Sequence, residues 1–187
     1  NKGKVLSLQR ELDRKYEIEQ INMELPEPRS SEVKEIAEQK IKYAYEKLRA
    51  SVCVLDAGFY ISSLNGFPRA FVNFALETIS LEGILKLTEG KNRECEFRDC
   101  LAYRDQNLEA PLFFESRTRG ILADEIGGEK QEHHWSELSR IFIPQGKGKT
   151  LAEMTKEEYY EWKKITAVND SSSKKFANWL RNHRHDK

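Results

Sequence analysis

The spacing of apolar residues predicts helices interleaved with strands in the first half of the chain. Apolar positions recur at helical intervals over residues 3–14 and again over 32–48. Between these helices YEIEQINM alternates apolar and polar residues, which predicts a strand that ends before the prolines at 26 and 28. SVCVL then predicts a buried strand, followed by a bend at 56–58 and a short strand FYI.

The second half of the chain predicts consecutive strands after two helices near 70–77 and 81–88. ECEFRDCLAYRD and EAPLFFESR flank the polar segment DQNL as in a hairpin, with RTRGILAD as a third strand and IFIP as a fourth. Thr155 and Glu158 have the spacing of a capping box, so a helix is predicted to about residue 164, with FANWLRN as a last short helix. Together these elements predict an α/β protein with a mixed sheet.

The length and charge narrow the class of protein. A chain of 187 residues is expected to form a single domain with one sizeable core. Its 31 basic and 31 acidic residues give a formal net charge of +0, which disfavours sequence-independent nucleic-acid binding but leaves room for a local basic pocket for a small phosphate compound. No segment has the apolar length of a membrane span, and the three cysteines have the pattern of reduced core thiols. We therefore expect a cytoplasmic protein with no membrane partner.

Three charged residues stand out for chemistry, and each also has an ordinary structural interpretation. Asp56 follows an apolar strand, where acids often face a ligand crevice, although it could equally cap the turn at Gly58. Glu27 lies between two prolines on a stiffened loop, or is simply a solvated acid. Lys40 lies among the apolar positions of its helix, so it either snorkels to solvent or reaches inward to phosphate. Two carboxylates and a lysine are the groups that Mg²⁺-dependent triphosphate chemistry requires.

Other polar motifs are interpreted as surface features. The neighbouring His133 and His134, and the pair His183 and His185 near the end of the chain, are expected to be surface residues rather than metal ligands. GKGK at 146–149 has neither the spacing nor the setting of a Walker motif and is expected to be a polar turn.

Six segments, taken in order, resemble the inosine triphosphate pyrophosphatase family, whose members hydrolyse non-standard purine nucleoside triphosphates. They are NKGK, LPE, EIAEQK, VLDAGFYISSLNGFP, FFESRTRGIL and IFIPQGKGKTLAEM. The fourth resembles the signature V-x-x-D-[ST]-G-L-x-V-x-x-L-x-G-x-P, and the last resembles F-x-P-x-G-x-x-K-T-x-A-E-M. The resemblance runs from residue 1 to about Glu158, and the order and spacing of the segments make it specific.

The resemblance implies a fold and a reaction. The fold is an elongated α/β structure with a mixed central sheet, surrounding helices, a second lobe and a nucleotide cleft between the lobes. The reaction is hydrolysis of ITP, dITP or XTP between the α and β phosphates, giving a monophosphate and pyrophosphate. Glu27 and Asp56 would hold Mg²⁺, and Asp56 would also orient or deprotonate the attacking water. Asn1, Lys4 and Lys40 would bind the triphosphate, and the two lysines would also offset charge on the leaving pyrophosphate.

The chain also departs from the family pattern. Uncharged residues stand where the family usually carries charge, at Leu55, Asn73 and Tyr159. The base-pocket segment is replaced by HHWSELSRIF, in which Trp135 and Glu137 are the expected substitutes for substrate binding. KKI at 163–165 stands near the family's Ser-His-Arg, and residues 166–187 form a divergent C-terminal segment.

Two structural expectations follow from the resemblance. Family members are commonly homodimers, and Phe67, Phe71 and Phe74 could supply the interface, although the alternative of ordinary core residues is favoured for at least two of them. The strand that opens the family fold is missing before NKGK. Either the numbered chain omits it or the sheet lacks a strand, and the exposed edge that a missing strand would leave favours the first.

Three functions remain open at this point. The departures leave the phosphate and metal positions largely intact, which favours an active pyrophosphatase. A nucleotide-binding protein without turnover is the alternative from a different class, because charged positions of the family site are uncharged here. A pyrophosphatase directed to another nucleotide is the third possibility, since the base-reading segments changed most.

Overall fold

The computed structural model describes residues 2–12, 16–26, 28–169 and 171–183. Five α-helices, five strands and three short 3₁₀ turns form the regular structure of these residues. The helices are α1 (Lys2–Glu11), α2 (Val33–Leu48), α3 (Val72–Leu87), α4 (Lys156–Asn169) and α5 (Ser172–His183). The strands are β1 (Val52–Ile61), β2 (Pro68–Arg69), β3 (Glu94–Arg104), β4 (Leu112–Leu122) and β5 (Phe142–Pro144). The predicted α/β class, with helices around a central sheet, is confirmed.

The five strands form one sheet in the order β2-β1-β3-β4-β5. Both edge strands are short and pair antiparallel with a long neighbour. At one edge Phe59 of β1 lies opposite Arg69 of β2, and at the other Ile121 of β4 lies opposite Ile143 of β5. The three long strands in the middle therefore carry most of the hydrogen bonding of the sheet, and short edge strands limit the exposed backbone available for pairing with other chains.

The chain divides into two compact units, each with its own apolar core. The first unit comprises residues 1–57, 99–116 and 170–187, and the second comprises 58–98 and 117–169. The long strands contribute residues to both units. The expectation that residues 1–187 act as a single domain stays a prediction.

The C-terminal helix α5 is part of the core of the first unit. Its Phe176 and Leu180 are buried together with Leu8 of α1 and with Leu101 and Tyr103 of β3. The ring centroids of Tyr103 and Phe176 lie 4.9 Å apart. Helix α5 begins at Ser172, four residues before Phe176, which is the first residue of the helix FANWLRN predicted from the sequence. Its amphipathic pattern explains this, because the apolar face is stabilised by packing rather than by helix propensity.

The core of the second unit is built on aromatic rings. Phe97 lies 4.7 Å from Phe59 and 4.7 Å from Phe142, measured between ring centroids. Trp162 of α4 is also buried in this core. The capping box predicted for α4 is confirmed: the Thr155 hydroxyl accepts from the Glu158 N–H, and the Glu158 carboxylate accepts from the Thr155 N–H.

Three sequence predictions of strands are corrected. Residues 16–26 have no regular structure, although Tyr16 and Ile18 pack against the core of the first unit as their alternation suggests. No bend interrupts β1 at 56–58, because pairing within the sheet overrides the turn preference of the small residues there. The segment RTRGILAD is not a separate third strand, since its first six residues, 117–122, continue β4. Helix α4 also runs to Asn169, beyond its predicted end.

Within the part of the chain that the structure describes, no helix combines the length and apolar character that crossing a membrane requires.

Helix α3 consists of two helical segments joined at Ser80, as its sequence predicts. Ser80 has φ 57° and ψ −173°, a backbone conformation that only glycine adopts without steric cost. Its hydroxyl bonds the Glu82 carboxylate near the start of the second segment. The kink therefore requires a backbone conformation that the Cβ atom of Ser80 disfavours.

We expect Ser80→Gly to stabilise the protein by about 1 kcal/mol, because glycine removes the Cβ clash at this backbone conformation. In a protein of this size that change corresponds to a rise in melting temperature of about 2–4 °C. Thermal unfolding followed by circular dichroism tests this, with Ser63→Gly, at a position with negative φ, as the matched control. A lower melting temperature for Ser80→Gly would show that the serine side chain outweighs the backbone strain.

Candidate active site

Lys40 and Asp56 form a partly buried ion pair in the first unit. The Lys40 Nζ lies 3.0 Å from the Asp56 Oδ1, and only 13% and 18% of the two side chains are exposed. Lys40 follows Ile36 by four residues and Ala37 by three, and both are buried positions of α2. Helical periodicity therefore places Lys40 on the inward face of the helix. Of the two alternatives for this lysine, the inward orientation is the one observed.

The direction of Asp56 follows from the unbroken course of β1. Neighbouring side chains of a strand point to opposite faces of the sheet. Leu55 packs against the apolar core of the first unit, so Asp56 is directed to the other face, where it meets Lys40. Asp56 therefore does not cap a turn at Gly58. Position 55, where the family usually has a second acid, faces the core in this chain and suits leucine.

Several charged side chains act on the thiol of Cys100, and Asp56 is one of them. Burial, together with the carboxylates of Glu115, Asp56 and Asp99, raises the pKa of the Cys100 thiol to about 12. Lys34 acts in the opposite direction, and its Nζ lies 3.1 Å from a Glu115 oxygen. No local sequence pattern relates Asp99, Glu115 or Lys34 to Cys100, so the sequence analysis did not identify them.

A divalent cation in the first unit would take its protein ligands from such carboxylates. Among the described residues, no group of three or more histidine, cysteine or acidic side chains is close enough to hold a metal ion. Mg²⁺, however, is usually bound through one or two carboxylates, with waters and substrate phosphates completing its shell. Asp56 fits that role as one carboxylate at a partly exposed position. The described residues of the first unit are therefore compatible with a metal whose shell the substrate completes, and they form no closed metal site among themselves.

The side chains of the other three residues predicted to bind the triphosphate or the metal are not described by the structure. Asn1 and Glu27 are outside the described residues, and Lys4 belongs to α1 although its side chain is not described. The structure thus brings together two of the predicted residues, Lys40 and Asp56, and the roles of all five residues stay predictions.

The two residues predicted for base binding belong to the second unit. Trp135 is 36% exposed, and its ring meets Phe97 edge-on with centroids 5.1 Å apart. Glu137 lies in a short 3₁₀ turn, with carboxylate oxygens 3.6 Å from the Arg140 guanidinium and 4.0 Å from Lys130. Trp135 therefore offers a supported, half-exposed ring, and Glu137 is a carboxylate flanked by two cations.

The expectation that His133 and His134 lie on the surface is wrong for His134, which is only 4% exposed. Its Nδ1 accepts a hydrogen bond of 3.1 Å from the Gln131 N–H. Burial lowers the pKa of His134 to about 4, helped by His133 and Lys130 and opposed by the Leu151 carbonyl. Tyr159 is buried beside both histidine rings, at centroid distances of 4.6 and 5.1 Å. Where the family has a lysine, this chain has an aromatic core residue.

The other surface motifs are placed as follows. His183 stacks on Trp179 with ring centroids 4.9 Å apart, and His185 lies outside the described residues. GKGK forms the polar turn that was predicted, and Lys149 Nζ lies 2.7 Å from a Glu158 oxygen.

The fold and the ordered motifs together point to one family of proteins. Residues 1–164 match the Ham1 family, and the chain belongs to it. A dITP/XTP pyrophosphatase of Methanopyrus kandleri is 35% identical over 167 residues, covering 89% of this chain and 84% of that protein. A dITP/XTP pyrophosphatase of Thermococcus kodakarensis is 33% identical over 188 residues, covering 97% and 94%.

Solved structures show the same fold at lower sequence identity. A HAM1 protein from Coxiella burnetii has a TM-score of 0.80 at 21% identity, covering 97% of this chain and 95% of that one. The Ham1 protein of Staphylococcus aureus has a TM-score of 0.71 at 22% identity, covering 87% and 83%. The arrangement of helices and sheet described above is thus the fold of this family.

The burial of His134 predicts a pH dependence of stability. Its folded pKa of about 4 lies below the ordinary value of 6.5, so the unfolded chain binds the proton more readily. The resulting contribution is fully present above about pH 6.5 and is lost as the pH falls towards 4. We expect wild type to lose about 1–2 kcal/mol more unfolding free energy than His134→Gln between pH 7 and pH 5.

Urea unfolding of both proteins at the two pH values measures this difference. His183→Gln, which changes an exposed histidine, is the control and should follow wild type. Equal losses for wild type and His134→Gln would show that His134 protonates without cost in the folded state.

Proposed function

We propose that this protein is a divalent-metal-dependent nucleoside triphosphate pyrophosphatase acting on non-standard purine nucleotides of the ITP, dITP and XTP type. The names of its relatives support the reaction class, since those proteins are called dITP/XTP pyrophosphatases. The observation that carries the proposal is the ion pair between Lys40 and Asp56, because a lysine beside a carboxylate supplies the two kinds of group that a triphosphate and its metal require.

The geometry of the pair explains how the chain would use both groups. A phosphate oxygen bonded to Lys40 at an ordinary distance lies within about 6 Å of Asp56 Oδ1, given the 3.0 Å between the paired atoms. A water molecule between the carboxylate and the phosphate can then bond to both. Asp56 orients this water and takes its proton as the oxygen attacks phosphorus.

The reaction breaks the anhydride bond between the α and β phosphates. The oxygen of water forms the new bond to phosphorus, and the bridging oxygen leaves with pyrophosphate. Lys40, and by the family resemblance Lys4 and Asn1, bind the triphosphate and offset the charge that grows on the leaving group. Asp56 and Glu27 would hold Mg²⁺, which supplies Lewis-acid stabilisation of the phosphate oxygens when it is bound.

Trp135 and Glu137 are the residues proposed to recognise the base. Trp135 offers a half-exposed ring on which a purine can stack, and Glu137 offers a carboxylate acceptor. Neither residue has the identity usual in the family, and Tyr159 is a buried aromatic residue. A pocket directed to another nucleotide is therefore the alternative that the structure supports most specifically.

The metal identity, a cytoplasmic location and a homodimeric state stay predictions. For the dimer the structure supplies one supporting observation: Phe67, Phe71 and Phe74 are 36%, 46% and 65% exposed. The alternative that at least two of them are core residues is therefore wrong. Phe71 and Phe74 are three residues apart at the start of α3, a spacing that places both on one helical face. We propose that this apolar face meets a second copy of the chain.

Pyrophosphate release with Mg²⁺ from ITP, XTP, dITP and the standard nucleotides tests the proposed activity. We expect release from ITP, XTP or dITP that Asp56→Asn and Lys40→Met each reduce by at least about 100-fold, because they remove the proton acceptor and the phosphate cation. Asp124→Asn is the matched control, since that side chain is 96% exposed, and it should retain wild-type turnover. Circular dichroism verifies that each variant folds.

The other outcomes separate the remaining functions. Release only from other nucleotides would show a retargeted pocket. Ligand-dependent thermal stabilisation without release would identify a non-catalytic nucleotide-binding protein. Undiminished release by Asp56→Asn would remove Asp56 from the mechanism.

The dimer is tested by light scattering during size-exclusion chromatography. We expect a dimeric mass for wild type and a monomeric mass for Phe74→Asp, because a charge in an apolar interface loses its hydration. Leu87→Asp changes a residue that is 45% exposed at the other end of α3, and it should leave the mass unchanged. A dimeric Phe74→Asp protein would place the interface elsewhere.

A further inference from the structure

Residues 135–138 of the second unit direct Trp135 and Glu137 to the same side of the chain. Ser136 has φ −146° and ψ 155°, an extended conformation in which the residues before and after it project to one side. The burial agrees with this direction, because Trp135 is exposed and Glu137 half-buried, whereas Ser136 and Leu138 are buried. An indole ring and a carboxylate are therefore presented together on the accessible side of this segment.

The Arg140 guanidinium is held beside the Glu137 carboxylate by hydrogen bonds to the backbone of residues 127–128. Its Nε donates a hydrogen bond of 3.1 Å to the Gly128 carbonyl, and its Nη1 lies 3.6 Å from Glu137 Oε2. The Arg140 carbonyl in turn accepts a hydrogen bond of 2.8 Å from the Gly127 N–H. Both the main chain and the side chain of Arg140 are thus attached to one segment, while a second guanidinium nitrogen faces the carboxylate.

The Gly128 carbonyl belongs to a backbone that packs closely against the 3₁₀ turn at 151–153. Gly128 has φ 65°, a conformation that favours glycine, and a Cβ atom there would lie only 2.5 Å from the Ala152 carbonyl oxygen. Because the two backbones leave no room for a side chain between them, the acceptor of the Arg140 hydrogen bond is fixed in position.

Two other charged groups act on this pair. The Lys130 Nζ lies 4.0 Å from the second Glu137 oxygen, Oε1. The pKa of Glu82 is lowered chiefly by the Ser80 hydroxyl and by its own backbone N–H, and to a lesser extent by Arg140. Arg140 therefore faces two acids, so a purely structural link to α3 is the alternative to a role in positioning Glu137.

A carboxylate only accepts hydrogen bonds, and this property distinguishes between purine bases. Hypoxanthine carries a proton on N1 and can donate it to a carboxylate oxygen, whereas N1 of adenine is itself an acceptor. A side chain that is already held in one direction loses less conformational freedom when it binds, so its preference is expressed more fully in the affinity. A fixed arginine beside Glu137 supplies this restraint.

We propose that Arg140 is a positioning residue that directs the Glu137 carboxylate to the N1 edge of a 6-oxopurine base stacked on Trp135. In this role Arg140 acts through the carboxylate and does not contact the base. The inference rests on the proposed function, because it explains how the base-recognition residues of that proposal distinguish hypoxanthine from adenine. Selectivity between the two bases, and not only affinity, then depends on Arg140.

Calorimetric titrations with ITP and with ATP in EDTA test this role. Both ligands carry the same triphosphate and no divalent metal supports turnover, so the ratio of the two affinities reports on the base alone. We expect wild type to prefer ITP, and Arg140→Gln to lower the ITP-to-ATP affinity ratio at least tenfold through weaker ITP binding. Arg140→Lys keeps the charge without the planar fork and should restore part of the ratio. Arg119→Gln removes an exposed arginine that also lies beside a carboxylate, and it should match wild type.

Glu137→Gln separates positioning from a structural role. An amide both donates and accepts, so it can pair with N1 and the amino group of adenine, and we expect this variant to bind ATP more tightly than wild type does. Adding Arg140→Gln to Glu137→Gln should then lower the affinity ratio no further, because no carboxylate is left to position. A structural role of Arg140 would instead give the same loss in both backgrounds.

The proposal is overturned if Arg140→Gln weakens ITP and ATP binding equally, if it changes only the melting temperature, or if its effect persists unchanged beside Glu137→Gln. It is also overturned if wild type binds ITP and ATP equally well, or binds neither at millimolar concentration. Pyrophosphate release with Mg²⁺ is measured separately. An Arg140-dependent preference for ITP without any release would refute the proposed activity and leave the role of Arg140 in place.

Discussion

The alternation of side chains along β1 is the constraint on which the candidate site depends. Because the strand runs without interruption, consecutive residues are committed to opposite faces, and Leu55 is held by the core of the first unit. Asp56 is then directed to the face that α2 covers, where Lys40 meets it. A carboxylate in this position is only partly exposed, and the lysine offsets the cost of removing it from water. The same packing that stabilises the strand therefore brings the Asp56 carboxylate and the Lys40 ammonium group together.

The second unit illustrates how the family site changes without loss of the fold. Tyr159 and His134 are buried among aromatic rings, and the His134 ring stays neutral because burial lowers its pKa. An aromatic cluster thus occupies a region where the family carries a charged residue. Charge in this unit is found instead on the sheet face of β3 and β4, where three arginines surround Glu96. The unit thus has an aromatic core and carries charge on the surface of its sheet.

The described structure also explains which departures from the family pattern are tolerated. Leucine at position 55 satisfies a core position that an acid would burden with an unpaired buried charge. The phenylalanines before and within the first turns of α3 are exposed rather than buried, so they add nothing to the core of the second unit. Their retention at the surface has a physical explanation if another chain covers them.

Sequence periodicity alone determined the helices α1 and α2, the division of α3, the capping of α4 and the α/β class, because these depend on neighbours within a few residues. The order of the sequence motifs also identified Lys40 and Asp56 as candidate site residues. Tertiary structure decided which faces these residues occupy, that β1 is continuous, and that residues 16–26 form no strand, since a strand requires a pairing partner distant in sequence. The burial of His134 and the convergence of Arg98, Arg117 and Arg119 on Glu96 were likewise decided by packing between segments that no local pattern relates.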